Sequence, residues 1–358
     1  MTIVSDVERG SMLYSGIAWT SNGYEIEVVG EDGRHATPPV RFGAGQQREM
    51  IAYLQGIAKP SGQSLVTVVE STNGVLDGGM MVSGLDVYRA DPWVLPERPL
   101  FGSVTAGALA QAARQDLSAL ARLQIDGGTL TGRIHELDAG IAEAAAAEDA
   151  LTRAGRCLRH GGRERADIAL TFDDGPNPPY TGQILDILER YGVPATFFCV
   201  GLHASARPGD IARIAGMGHA VGNHTWSHPF LPDLSRPQLG EQIERTEEVL
   251  ANAGGTVSRL FRPPYGSRTP EVMDWLAAQD VTVVLWDVEP FDWALPGPGV
   301  ITEKVLAQAR PGSIVLMHDG GGDRSQTVAA LPGVIEGLLD RGYRFVLVDE
   351  LLGPHQAA

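Results

Sequence analysis

Thr171-Phe172-Asp173-Asp174-Gly175-Pro176-Asn177 is the stretch on which the reading of this chain turns. It closes an apolar run, Ile168-Ala169-Leu170-Thr171-Phe172, with the length and composition of a short buried strand. Gly175 and Pro176 then stop any continuation. Successive residues at a strand end point in different directions, so Asp173 and Asp174 can take different tasks. One can bind a metal while the other faces a reacting water. Taken alone, Asp-Asp-Gly is an ordinary solvated turn, and only its neighbours along the chain give it meaning.

Downstream, strands and helices alternate regularly. Tyr180 to Tyr191 has helical spacing at Ile184, Ile187 and Leu188, Ala195 to Val200 reads as a strand, and Pro208 to Met217 as a helix. A strand over 219–223 runs into His224, and Pro237 to Ala253 follows as a long amphipathic helix. Further strands are expected at Leu260-Phe261-Arg262, 281–286, 313–317 and 344–348. Such alternation over about 190 residues implies a parallel sheet closed, or nearly closed, into a barrel. The suspicious polar residues fall at the C-terminal ends of its strands, where such folds place their chemistry.

His224 and His228 lie four apart, a spacing that on a helical turn puts both imidazoles on one face. A lone His-x-x-x-His pair is more often incidental than a ligand pair. Joined to Asp174 it offers two nitrogens and one oxygen, leaving positions open for water or substrate, as a catalytic zinc site requires. In Arg262-Pro263-Pro264-Tyr265-Gly266 the prolines stiffen a loop from which Arg262 could orient a carboxylate with its forked donors. Acids and aromatics gather in Trp286-Asp287-Val288-Glu289-Pro290-Phe291-Asp292-Trp293, and an apolar strand ends on His318.

The first 98 residues read as β strands followed by mixed α/β. Strand-like segments are 15–19, 24–29 and 65–70, with a hairpin turn at Glu31-Asp32-Gly33, a helix from Gln46 to Ile57 and a short one from Val75 to Val82. This order resembles the ribonuclease-H-like fold of some transposases, with Glu70 where a catalytic Glu would stand but Ala18 where the first Asp would. Residues 99–162 read as a helical connector, with helices over Ala108 to Leu123 and Ile134 to Leu158. The expected organisation is therefore a small α/β domain over 1–98, a connector over 99–162 and a catalytic domain over 163–358.

Composition narrows the partners. With 44 acidic residues against 28 Lys plus Arg, the net charge of -16 argues against nucleic acid or an anionic membrane as the main partner. The first 98 residues alone hold 12 acids against 7 Arg plus Lys. Cys157 and Cys199 cannot form a disulfide framework, no apolar run is long enough to span a membrane, and the opening residues lack a basic-then-apolar signal. A cytoplasmic protein is expected, and no motif specifies its oligomeric state.

In order, Thr171-Phe172-Asp173-Asp174-Gly175-Pro176, His224-Thr225-x-x-His228, Arg262-x-Pro264-Tyr265, Asp292-Trp293 and Ile314-x-Leu316-x-His318 resemble the polysaccharide deacetylase family. These are the family 4 carbohydrate esterases sharing the NodB homology domain, and the resemblance covers residues 167 to about 352. Glu289 and Ile314 depart conservatively from the family pattern, where Asp and Leu are usual. The resemblance implies a distorted (β/α) barrel and removal of acetyl from an N-acetylated carbohydrate or a small amide. It implies that Asp174, His224 and His228 bind a divalent metal, zinc or cobalt, and that Asp173 is the base. It further implies that Arg262 positions Asp173, that the Tyr265 backbone N–H serves the oxyanion, and that His318 is an acid supported by Asp292. Trp293 and Leu316 would wall the acetyl pocket. Two other readings remain open: hydrolysis of a non-sugar amide or cyclic ureide, and a nucleic-acid role for the first domain.

Overall fold

The computed structural model describes residues 12–58, 64–123, 125–126, 129–130, 134–254 and 257–352. Two sheets organise it. In the first, β1 (Met12–Thr20), β2 (Gly23–Gly30) and β3 (His35–Gly43) form an antiparallel meander. β4 (Ser64–Glu70) and β5 (Asp86–Ala90) extend it in parallel beyond β1. A two-residue β6 (Ala121–Arg122) closes the far edge, giving the order β3-β2-β1-β4-β5-β6. The Gln47–Ala58 helix buries Met50 and Leu54 against one face, and the Ala106–Gln115 helix buries Leu109 and Ala113 against the other. β3 is not marked as a strand by its own sequence, because Pro38 and Pro39 sit inside it. As an edge strand it tolerates the missing N–H groups.

The helices of the middle region are shorter than expected. Thr105 caps the first, its hydroxyl accepting from the Ala108 N–H, and the helix ends at Gln115 instead of continuing to Leu123. Asp116 ends it by accepting from the Ser118 N–H at 3.0 Å, and the chain then returns to the first sheet as β6. A small hairpin follows, β7 (Ile125–Asp126) with β8 (Thr129–Leu130). The stretch expected as one helix to Leu158 is two, Ile134–Glu143 and Ala145–Arg153, after which Cys157 and Leu158 form β9 of the second sheet.

The second sheet also contains β10 (Asp167–Asp173), β11 (Thr196–Cys199), β12 (Ala220–Asn223), β13 (Val257–Phe261), β14 (Thr282–Val284), β15 (Ser313–His318) and β16 (Arg344–Phe345). Its order is β15-β10-β11-β12-β13-β14-β9, with β16 beside the start of β10, and every ladder is parallel. The sheet curls until its edges meet: His160, just past β9, bridges Ser313 of β15, and Val288, past β14, bridges Val315. All seven residues of β10 are buried, as a central parallel strand covered on both sides requires. The last expected strand, 344–348, pairs only through Arg344–Phe345, and a helical turn begins at Val348.

The two sheets share core. Val200, Leu202 and Trp226 of the barrel belong to the same apolar cluster as Ile17, Trp19 and Leu76 of the first sheet. Phe101 packs edge-on against both Trp19 and Trp226. Backbone and side-chain bonds stitch the boundary: the Phe230 N–H donates to Ser71 O at 3.1 Å and Arg98 Nη1 to Asp233 O at 3.0 Å. The first unit is therefore fixed against the barrel at the rim where the strands end.

Candidate active site

Asp173 ends β10, and Asp174 follows it with φ 75°, a left-handed turn that aims the second carboxylate away from the first. Glycine is required next. A Cβ on Gly175 would fall 2.0 Å from Asp319 Oδ2, so no side chain fits the turn. His224 follows β12 directly. His224 and His228 are not on a helix, contrary to the spacing argument: the loop between them carries left-handed backbone at Thr225 (φ 66°) and His228 (φ 57°). That loop is held from within. Asn223 Oδ1 accepts from the Thr225 N–H at 2.8 Å, and buried Gln242 Oε1 accepts from the N–H groups of Trp226 and Ser227.

Asp174, His224 and His228 each bring one ligand atom to within 4.8 Å of the others, and all three residues are buried. Their fit to a cation can be judged from chemistry. The Nδ1–H of His224 is committed to the Arg262 carbonyl at 2.7 Å, which leaves Nε2 as a lone pair facing the cluster. Burial drives His228 down to about 3 despite the nearby Asp174 charge, so this imidazole is neutral at physiological pH. Burial alone would raise Asp174, but the imidazoles of His228 and His224 hold it well below the usual carboxylate range. Asp174 Oδ1 lies 3.4 Å from His224 Nε2 and 3.2 Å from His228 Nε2, yet it is buried without a hydrogen bond. An orphaned carboxylate oxygen facing two imidazole nitrogens is a donor set that fits a divalent cation.

Beside this triad, Arg262 is wholly buried and fully engaged. Nη1 donates to Asp173 Oδ1 and to Thr171 Oγ1, each at 2.7 Å; Nε donates to Val284 O and Nη2 to Leu285 O. Its guanidinium also stacks 4.1 Å over the Phe198 ring. Asp173 Oδ1 is thereby fixed, and Oδ2 lies on the His224 side, 3.6 Å from Nε2. Tyr265, with φ 59°, sets its ring edge-on to His228 at 4.5 Å.

Across the cavity, His318 ends β15. Its Nδ1 is 2.7 Å from Asp292 Oδ1, while Asp292 Oδ2 accepts from the His318 N–H and from Thr327 Oγ1. Burial disfavours the imidazolium, but the Asp292 charge and hydrogen bond outweigh it and raise His318 to about 9. Trp293 and Leu316 line the same cavity, which measures about 410 Å³. All ten residues singled out in the sequence thus converge on one end of the barrel.

Sequence reading missed a supporting layer. His203 Nδ1–H donates to the Asp174 carbonyl, and its Nε2 lies 2.6 Å from Gln47 Nε2 of the first unit. Burial lowers His203, keeping it neutral and able to accept from Gln47. No motif spacing marks either residue. Gly74 of the first unit approaches so closely that a Cβ there would lie 2.3 Å from the His228 carbonyl and 2.9 Å from its Nδ1. Glu70, by contrast, is far from free for nucleic-acid chemistry: it is completely buried, accepts from Thr72 Oγ1 and the Val104 N–H, and pairs with Arg98 at 3.5 Å.

A parallel barrel with an Asp-His-His triad, a buried Arg-Asp pair and a His-Asp dyad at its strand ends defines a metal-dependent hydrolase class. The polysaccharide deacetylase family model matches residues 160–284. The peptidoglycan-N-acetylglucosamine deacetylase of Bacillus cereus is 39% identical over 192 residues, covering 53% of this chain and 70% of that protein. A chitooligosaccharide deacetylase of Sinorhizobium fredii is 40% identical over 199 residues, covering 52% of this chain and 93% of that one. Among solved structures, a peptidoglycan N-acetylglucosamine deacetylase superposes with a TM-score of 0.55 at 36% identity, over 56% of this chain and 95% of its own. The chain belongs to the polysaccharide deacetylase family, hydrolases of the C–N bond of N-acetyl groups.

Proposed function

We propose that this protein removes acetyl from an N-acetylated sugar or sugar conjugate, with Asp174, His224 and His228 holding a divalent metal, zinc or cobalt. The observation that carries the reading is the orphaned Asp174 Oδ1 between two imidazole nitrogens, beside a second carboxylate fixed by a buried arginine. A cation bound there would lower the pKa of a water and polarise the acetyl carbonyl. Asp173, held through Oδ1 by Arg262, takes the proton of the attacking water on Oδ2. The Tyr265 backbone N–H donates to the developing oxyanion. His318, kept cationic by Asp292, gives its proton to the nitrogen as the C–N bond breaks, releasing amine and acetate. Trp293 and Leu316, which line the cavity, wall the place of the acetyl methyl.

The cleft is narrowed on one side by Gly74, Met81 and Val82 of the first unit, which favours a small acetylated molecule over an insoluble polymer. A non-sugar amide or cyclic ureide is a second reading, favoured by the apolar Leu123, Leu137 and Ile141 on that wall. Acetate release from a panel of N-acetylated sugars and simple amides, before and after chelation and with zinc or cobalt restored, tests the proposal. Undiminished hydrolysis after exhaustive chelation would refute it.

A further inference from the structure

The wall supplied by the first unit is mostly apolar, yet a guanidinium stands in it. Arg89, on β5, lines the cavity that holds Asp174 and His318 and is only 8% exposed. Its Nε and Nη2 are buried without a hydrogen bond. The ion partner seen for it is Asp91, whose Oδ1 lies 3.5 Å from Nε and leaves Nη2 unanswered. Among the described residues, the other guanidiniums at the site are satisfied: Arg262 by Asp173, Thr171 and carbonyls, Arg324 by the carbonyls of Gly320 and Gly321.

A buried, unpaired guanidinium edge is costly unless something supplies acceptors. The apolar side chains around it keep the local dielectric low, which strengthens a charge-assisted bond when an anion arrives. The planar N–H fork suits the two oxygens of a carboxylate or phosphate. Besides Asp173 and Asp174, the acids Asp138, Glu289 and Asp323 also line this cavity, but Asp323 is engaged by Tyr180 and the Ser325 N–H, and Glu289 by Trp286 Nε1. We infer that Arg89 is a specificity residue, reaching from the first unit to bind an anionic group, carboxylate or phosphate, carried by the acetylated substrate. The inference rests on the deacetylase reading for the acetyl end and extends it to the other end of the molecule.

Acetate release by the metal-loaded full chain is compared on three probes: neutral di-N-acetylchitobiose, N-acetylmuramic acid and N-acetylglucosamine 6-phosphate. The wild type is expected to favour one of the two acids by about tenfold or more in kcat/KM, mainly through KM, and the acid favoured identifies the anion. Arg89→Ala should cut the acid-to-neutral ratio by roughly 10- to 100-fold, the range of one charge-assisted contact, and Arg89→Lys should restore part of it. Equal use of neutral and acidic probes by the wild type, or a preference that survives Arg89→Ala, overturns the inference. Calorimetry with glucosamine 6-phosphate, glucosamine and muramic acid on the wild type needs neither turnover nor a foldable variant: selective binding of an acid supports the role, and binding indifferent to the anion overturns it. Should no probe release acetate, the deacetylase reading fails, while the calorimetric result still decides the role of Arg89.

Discussion

Arg262 Nη1 lies 2.7 Å from Asp173 Oδ1, and the pair is sealed from solvent at the end of the central strand. The salt bridge fixes one oxygen of the carboxylate and leaves the other toward His224, 3.6 Å from its Nε2. Asp173→Asn keeps the shape but removes the proposed base, so turnover should drop by roughly 10² to 10⁴ while metal content is retained. Metal analysis alongside steady-state kinetics checks both halves. A variant with near-normal turnover would remove Asp173 from this role.

On the proposed mechanism, His318 and Asp292 should set the alkaline limb of activity. With His318 raised to about 9, the acid form is present at neutral pH and is lost as pH rises through that value. The pair's contribution to stability follows the same sign: it is full below the ordinary histidine value and disappears as pH climbs through the raised one. Asp292→Asn removes the charge that holds the proton, so the limb in log kcat against pH should move to lower pH. A limb that stays in place would separate His318 from Asp292.

Asp174→Ala, His224→Ala and His228→Ala should each lose bound metal, and chelation of the wild type should abolish activity that zinc or cobalt restores. Metal analysis of each purified variant checks this, and a variant that keeps full metal content would remove that residue from the set.

The barrel was legible because its signals are local. A buried strand such as 168–172 announces itself by composition, and the ordered polar residues sit at strand ends that the alternating pattern already locates. What was hidden depended on distant partners. β3 carries two prolines that only an edge position explains, and the helix expected to reach Leu123 stops at Gln115 because the chain pairs again with β5. The His224–His228 pair was found by a spacing rule that presumes a helix, whereas a loop with two left-handed residues brings it together. His203 and Gln47 are 156 residues apart and share no motif, so only the packed boundary between the sheets reveals that they support Asp174.

Glu70 is expected to be structural. It is completely buried against Arg98, so Glu70→Ala leaves a guanidinium without its acid and should destabilise the protein by about 3–5 kcal/mol, read as a lower Tm. Ala18 offers no carboxylate opposite it, and a two-metal nucleic-acid site needs several. Incubation with DNA and RNA in magnesium or manganese should give no cleavage. Metal-dependent cutting that survives Asp173→Asn would overturn this.

Gly74 tests whether the first unit belongs to the active site or merely precedes it. A methyl there would lie 2.2 Å from Tyr265 Oη and 2.3 Å from the His228 carbonyl. The phenol can swing aside, but the carbonyl is backbone of the proposed ligand His228, so either the first unit retreats or the His228 loop shifts. A displacement of about 1 Å at a catalytic centre can lower the rate by roughly 10²-fold. Gly74→Ala should therefore depress kcat/KM by at least about tenfold and weaken metal binding. Gly56→Ala, in a helix where an added methyl meets nothing within 4 Å, serves as the control and should leave activity alone. The same wall should make kcat/KM fall from acetylated mono- and disaccharides to longer oligomers, and the retreat forced by Gly74→Ala should flatten that fall. Wild-type activity in Gly74→Ala, together with faster hydrolysis of polymer than of short sugars, would show that the first unit neither shapes the site nor limits its substrate.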